Sequence, residues 1–223
     1  MIILGIETAT SLCGVGLIDN KGFVGDYRLL RGYIHAEYLP VEIDRLFKDA
    51  EIHPKQLDGV AVSIGPGSFT GLRIGLGVAK GLAFGLAKPL VAVPTMDGLL
   101  VNVPPLSEWA CVLLTARKGE VYQGIYKWKE NYWQQVGNYE IVQEENIGDQ
   151  FYDRDVLFLG EGALCYQTMI QERVKKARFL PQLYSLPSGY NIAKKGKEFL
   201  QAGKVEDLDS LVPLYLKRFQ GIA

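Results

Sequence analysis

Histidine is nearly missing from this chain: His35 and His53 are the only two in 223 residues. They do not form a helical pair, and Pro54 follows the second, so a His-based zinc or iron centre has too few ligands. Cysteine is scarce as well. Cys13, Cys111 and Cys165 are odd in number, scattered and set in apolar stretches, which excludes a disulfide framework and a paired-cysteine metal site. They read as reduced thiols packed as small hydrophobes. Neither sign of charge is in excess: 24 Lys and Arg face 25 Asp and Glu, for a net charge of −1. Such a balance creates no global positive field that would draw the chain onto nucleic acid. The first apolar stretch meets Glu7 at once, leaving no room for a signal peptide, and no uncharged apolar run is long enough to span a bilayer. The expectation is a cytoplasmic chain with no membrane partner. No nucleophile, base and orienting acid stand out, so no catalytic residue and no metal ligand are assigned.

Glycine, by contrast, is abundant, and the stretch Gly65 to Ala83 concentrates it. Gly65-Pro66-Gly67 reads as a turn, Ser68 as an N-cap, and the following residues to Leu86 as a helix. The five glycines from Gly71 to Gly85 each cost about 1 kcal/mol relative to alanine in a helix interior, a loss that only intimate packing recovers. At 100° per residue Arg73 and Lys80 share a narrow polar edge, while Leu72, Ile74, Leu76, Val78, Leu82 and Leu86 surround the rest of the axis. One side of this helix can lie on the chain's own sheet; the other then requires a second helix or a partner subunit.

Elsewhere the patterns are more ordinary. Ile2 to Glu7, Cys13 to Ile18 and Phe23 to Leu30 read as an antiparallel meander. From His35 to Ala50 the residues Leu39, Ile43, Leu46 and Phe47 recur at helical spacing. Asp58 to Ile64 forms a buried strand entering the glycine-rich turn, and Pro89 to Val93 another strand. Asn102-Val103-Pro104-Pro105 marks a boundary, after which the plan restarts with Trp109 to Thr115, a turn at Arg117-Lys118-Gly119, and Val121 to Trp128. Tyr132 to Val142, Val156 to Leu159 and a helix over Ser188 to Leu200 follow. The expected architecture is α/β, two duplicated lobes of mixed sheets flanked by helices, 1–103 and 104–223, with the last helix returning to the first lobe. Their strand-to-strand turns would face a common cleft.

Several motifs admit two readings. Thr8, Thr10 and Ser11 in the first turn, and the turn after Thr115, could hold phosphate or could be polar hairpin turns. Gly67 and Ser68 open a helix and could bind an anion or simply cap it; Phe69-Thr70-Gly71-Leu72 follows, which is not a Walker loop. His35 reads as a cap or an interface hydrogen-bonder. The basic cluster Arg173, Lys175, Lys176 and Arg178 reads as a solvated helix end.

Leu4-Gly5-Ile6-Glu7-Thr8-Ala9-Thr10, His35-Ala36-Glu37-Tyr38-Leu39-Pro40, Gly65 to Ala83, Ala116-Arg117-Lys118-Gly119-Glu120-Val121-Tyr122, Gly160-Glu161-Gly162-Ala163 and Val212 to Lys217 occur in the order that identifies the chain as resembling the TsaB (YeaZ) family. The resemblance implies an actin-like, Hsp70-like and sugar-kinase-like (ASKHA) fold. It further implies a non-catalytic subunit in threonylcarbamoylation of the adenosine beside the tRNA anticodon. Such a subunit pairs with the catalytic paralogue TsaD, is joined by the ATPase TsaE, forms a homodimer when alone and meets tRNA only through the complex. The histidine pair of the paralogue is absent. The family's pairing surface lies on the two N-terminal helices, which places His35, Leu39, Ile43, Leu72, Arg73, Gly75, Leu76, Ala79, Lys80 and Ala83 at the expected interface. Glu7 and Thr115 stand where the family more often has Asp, which weakens nucleotide hydrolysis by this chain alone. No cofactor is expected for the chain itself, with ATP or ADP and magnesium entering at the level of the complex. The alternative within the same fold is a small kinase or ATPase acting on a metabolite.

Overall fold

The computed structural model describes residues 1–31, 35–101 and 103–216. Asn102 of the expected boundary and Lys217 of the last motif therefore lie outside the described residues.

Ten strands form two sheets. The first contains β1 (Ile3–Glu7), β2 (Leu12–Ile18), β3 (Phe23–Leu30), β4 (Gly59–Ser63) and β5 (Leu90–Val93), in the order β3-β2-β1-β4-β5. β1 to β3 pair antiparallel, while β4 and β5 add in parallel. The second contains β6 (Trp109–Thr115), β7 (Glu120–Lys129), β8 (Tyr132–Gln143), β9 (Asp155–Leu159) and β10 (Lys176–Phe179), in the order β10-β9-β6-β7-β8. Read from its other edge, this is the same topology strand for strand, which is the signature of a duplicated fold. The described residues divide into two compact units, Met1–Val103 with Leu186–Pro213, and Pro104–Ser185 with residues 214–216.

In the first unit, β1, β2, β4 and β5 are buried along their whole length, because helices cover both faces of the sheet. α1 (His35–Asp49) and α2 (Phe69–Leu86) cover one face. Leu39, Ile43, Leu46 and Phe47 of α1 and Leu76, Ala79 and Ala83 of α2 join Leu4, Ile6, Val15 and Val60 in one core. α7 (Gly189–Gln201) covers the other, where Ile192 and Ala193 pack on Ile3, Ala61 and Val91, and α3 (Thr95–Leu100) packs against α7. The approach of α7 is unusually close. A Cβ on Gly16 would stand 2.0 Å from the Tyr190 nitrogen, one on Gly5 2.1 Å from the Gly189 oxygen, and one on Gly196 2.3 Å from the Ala61 Cβ. Backbone therefore lies directly on backbone, with no room for side chains between.

Asp26 fastens the start of this helix to the edge strand. Its carboxylate accepts from Ser188 Oγ and from the Tyr190 amide, both at 3.1 Å, and pairs with Arg28 Nε at 3.0 Å. Burial raises its pKa above the ordinary carboxylate value, and the amide, Arg28 and Ser188 only partly offset that rise.

The second unit adds α4 (Glu161–Cys165), α5 (Gln167–Arg173) and α6 (Gln182–Ser185), and α4 packs on β6. β10 was not expected: the basic cluster straddles the end of α5 and this strand, so it is not one helix end. Of the three cysteines, all free, Cys13 and Cys111 are buried as expected, whereas Cys165 is exposed.

Two predictions follow from this packing. Gly16→Ala should lower the unfolding free energy by at least about 2 kcal/mol, since the backbone it meets cannot rotate away, whereas Gly77→Ala on open helix surface should raise it by roughly 1 kcal/mol; chemical denaturation of the two variants checks both signs. Because the folded pKa of Asp26 is raised, its contribution to stability is fully present below the unfolded value of 3.8 and is lost as pH rises through the folded one. Asp26→Asn should therefore flatten the stability profile on the alkaline side of pH 3.8, and an unchanged profile would show that burial does not control this group.

Candidate functional site: the helix α2 and the turns at its start

The turn after β1 and the loop before α2 are built into each other. Ser68 N donates to the Ala9 oxygen at 2.6 Å, Thr8 Oγ1 donates to the Gly71 oxygen at 2.8 Å, and Ser68 Oγ caps the helix by accepting from Gly71 N at 3.2 Å. Only glycine fits here, because a Cβ on Gly67 would meet the Ala9 oxygen at 2.2 Å and one on Gly71 the Thr8 oxygen at 2.1 Å.

The amides of the turn are also engaged. Ala9 N donates to Glu7 Oε1 at 2.6 Å, Leu12 N to Thr10 Oγ1 at 3.2 Å and Thr8 N to Ser63 Oγ at 3.4 Å. Thr8 and Thr10 are buried, Gly67 is half-buried, and only Ser11 and Ser68 reach the surface. The expected phosphate cradle of Thr8, Thr10, Ser11, Gly67 and Ser68 is thus a closed internal joint: a bound anion would have to displace hydrogen bonds that the fold already makes.

His35 belongs to the same joint. It is 5% exposed, its Nε2 lies 2.9 Å from the Thr10 oxygen, and since a carbonyl can only accept, Nε2 carries the proton. His35 therefore ties the start of α1 to the first turn and does not face outward.

Most of the other residues expected at the interface are also turned inward in this chain. Leu39, Ile43, Leu72, Gly75, Leu76, Ala79 and Ala83 are all buried in the core of the first unit. Gly75 packs on Thr8, where a Cβ would stand 2.1 Å from Oγ1. Arg73 is exposed, with its guanidinium carbon 3.7 Å from the centre of the Phe69 ring. Lys80 is half-buried, and its charge helps hold the Asp207 carboxyl below the usual range, behind the larger effect of the Ser210 hydrogen bonds.

The face of α2 that stays open is a different one. Thr70, Arg73, Gly77, Gly81, Phe84 and Gly85 recur at three- and four-residue spacing and are exposed. A Cβ on Gly77, Gly81 or Gly85 would have nothing within 4 Å, and Phe84 is 81% exposed. Bare backbone flanked by half-buried Ile74, Val78 and Leu82 thus carries one large aromatic knob. Among the described helices only α2 has the length and hydropathy of a membrane span, yet it carries Arg73 and Lys80 and lies on its own sheet.

The second unit repeats the joint in outline. Gly160, with φ 95°, and Gly162 bring α4 against Leu113 as Gly67 and Gly71 bring α2 against Ala9 and Thr8. Thr115 Oγ1 donates to Glu161 Oε1 at 2.5 Å.

The basic cluster is largely neutralised. Arg173 faces Asp149 at 3.8 Å, Lys175 faces Asp153 at 3.9 Å, and Arg178 grips Asp155 at 2.9 and 3.0 Å. Desolvation pushes the Asp155 pKa up, but the Ser107 and Arg178 hydrogen bonds outweigh it and hold the carboxyl below its usual value. Among the described residues no group of three His, Cys, Asp or Glu side chains is placed to hold a metal ion.

Comparison with known proteins places this geometry. Residues 33–220 match the family model of TsaD, tRNA N6-adenosine threonylcarbamoyltransferase. The tRNA threonylcarbamoyladenosine biosynthesis protein TsaB of Bacillus subtilis is 30% identical over 225 residues, covering 97% of this chain and 94% of that one. The structure of YeaZ from Pseudomonas aeruginosa superposes with a TM-score of 0.82 at 25% identity, over 96% of this chain and 99% of the other. The ADPNP-bound activator of 2-hydroxyisocaproyl-CoA dehydratase from Clostridium difficile shares the fold alone, with a TM-score of 0.51 at 10% identity over 93% of this chain and 99% of its own. The fold is thus the actin-like, sugar-kinase-like one.

If Ser68 serves as a cap and not as an anion ligand, Ser68→Ala should cost about 1 kcal/mol of stability. Addition of magnesium-ATP should leave the Tm of both forms unchanged. A nucleotide-dependent rise in the Tm of the unmodified chain that Ser68→Ala removes would restore the phosphate role.

Proposed function

Since the chain belongs to the TsaB branch of the tRNA N6-adenosine threonylcarbamoyltransferase family, we propose that it is the non-catalytic subunit that pairs with a TsaD-type transferase. The observation that carries this reading is the open face of α2. Gly77, Gly81 and Gly85 leave a shallow backbone groove in which a second helix can lie closer than side chains normally allow, and Phe84 supplies an aromatic anchor beside it. A surface this apolar on an otherwise evenly charged chain is stabilised by being covered. The transferase family's model spans residues 33–220 of this chain, α2 included, so a paralogue of that family has a counterpart of this helix to offer. In its absence a second copy of this chain covers the same face about a two-fold axis, giving a homodimer.

The absence of catalysis by the chain itself is supported by the joint between the first turn and α2, where the Thr8 hydroxyl and the Thr8, Ala9 and Ser68 amides are used in internal hydrogen bonds. Threonylcarbamoyl transfer to the adenosine beside the anticodon then belongs to the paralogue. A TsaE-type ATPase joins the pair, ATP or ADP with magnesium acts at the level of the complex, and tRNA is reached through it. The interface proposed here differs from the one expected from sequence: it runs along Arg73, Gly77, Gly81, Phe84 and Gly85, with the buried leucines behind it as support.

Reconstitution tests the reading. Purified transferase paralogue, TsaE-type ATPase, threonylcarbamoyl-adenylate and tRNA should yield modified adenosine by mass spectrometry only when this chain is added. Gly81→Arg places a long side chain in open space and removes a helix glycine, so the variant should fold at least as stably as the parent, yet fail to pair and give no modification. Phe84→Ala should weaken pairing by about 2 kcal/mol or more. Full modification without the chain, or undiminished pairing by Gly81→Arg, would sink the proposal.

A further inference from the structure

Between the edge strand β3 and helix α1 lies a cavity of about 440 Å³, a volume within the range of small-molecule sites. Cys13, Tyr27 and Tyr38 line it together with two acids, Asp26 and Glu42, and two arginines, Arg28 and Arg45. The lining holds as many acids as arginines, but Arg45 is drawn to Asp49 outside it, which leaves Glu42 without an arginine of its own. Arg28 is paired with Asp26 at 3.0 Å, and Arg45 is paired with Asp49 at 3.6 Å and lies 5.3 Å above the Tyr27 ring. Each arginine thus already has a carboxylate. Glu42 is half-buried and makes no ion pair or hydrogen bond among the described residues. The thiol beside it does not supply compensation either. Burial first, then the Glu42 and Glu7 carboxylates, push the Cys13 pKa up to about 11, so it stays neutral at physiological pH.

One uncompensated carboxylate in a half-enclosed cavity with two electron-rich rings is the chemistry that recognises an organic cation. We propose that this cavity binds the guanidinium or primary ammonium end of an alkyl chain, with Glu42 as its counter-ion and Tyr27 and Tyr38 as its walls. An anion is disfavoured because both arginines are already satisfied, and a metal ion because one carboxylate beside a neutral thiol is too small a ligand set. The cation can arrive as a free small molecule or as an Arg or Lys side chain of a docked protein. The chemistry of the cavity is the same for both.

The test uses two probes of equal shape, butylguanidinium and butylurea, titrated against the full chain by saturation-transfer NMR. Butylguanidinium should bind with a Kd of roughly 1 mM, and the uncharged butylurea at least about tenfold more weakly. Glu42→Gln should reduce butylguanidinium to the affinity of butylurea without lowering the Tm, whereas Glu37→Gln, elsewhere on α1, should leave binding unchanged. Equal affinity for the two probes, no binding of butylguanidinium, or undiminished binding by Glu42→Gln would each overturn the assignment. Once binding is seen, pairing with the transferase paralogue is measured with and without saturating butylguanidinium. Weaker pairing identifies the natural occupant as a partner's side chain, and unchanged pairing identifies it as a free cation.

Discussion

The first unit depends on the approach of helix backbone to sheet backbone on both faces of one sheet. On one face Gly5, Gly16, Gly189 and Gly196 let α7 rest on β1, β2 and β4; on the other, Gly67, Gly71 and Gly75 let α2 and its loop rest on the turn after β1. The conformational cost of so many glycines is recovered as dispersion between tightly packed main chains. It also fixes geometry, since atoms in contact at backbone level have no rotamers with which to adjust. Functional geometry inherits that rigidity: the N-terminus of α2 is held by Ala9 and Thr8, so its far side is presented in one orientation.

The glycines of α2 accordingly fall into two sets with different physics. Gly71 and Gly75 are internal, and any side chain there collides with Thr8; Gly77, Gly81 and Gly85 have open space above them. The first set builds the fold and the second leaves a surface. The donors of the first turn are here spent within the fold: Thr8 Oγ1 holds Gly71 of α2, while Thr8 N and Ala9 N go to Ser63 and Glu7. That division is what the proposed pairing through the open face of α2 would require.

Much of the framework was readable from residues alone. Alternation and apolar runs located β1 to β9 and both long α1 and α2 within a residue or two, and the restart near Trp109 announced the duplication seen in the two sheet orders. Of α5 only the end at Arg173 was read. What escaped were α3, α4 and α6, which have four to six residues and are too short for a 3.6-residue period to repeat, and β10, whose Lys-Ala-Arg-Phe pattern is dominated by charge. Its cations could be judged only once Asp149, Asp153 and Asp155 were seen opposite them, from segments about twenty residues away.

The candidate site was legible in kind but not in orientation. The sequence by itself determined that α2 is a capped helix without a true polar face, apolar around most of its axis, and hence a helix that needs cover on two sides. It could not say which side, because glycine and leucine alternate around the axis and neither carries a directional preference. Tertiary structure decided that: contacts with Thr8, Ala9 and His35, all remote along the chain, turn Leu72, Gly75, Leu76 and Ala79 inward and leave Gly77, Gly81 and Phe84 outside. Burial of a helix with no amphipathic stripe is set by the shape of what it meets, and that shape exists only after the sheet has formed.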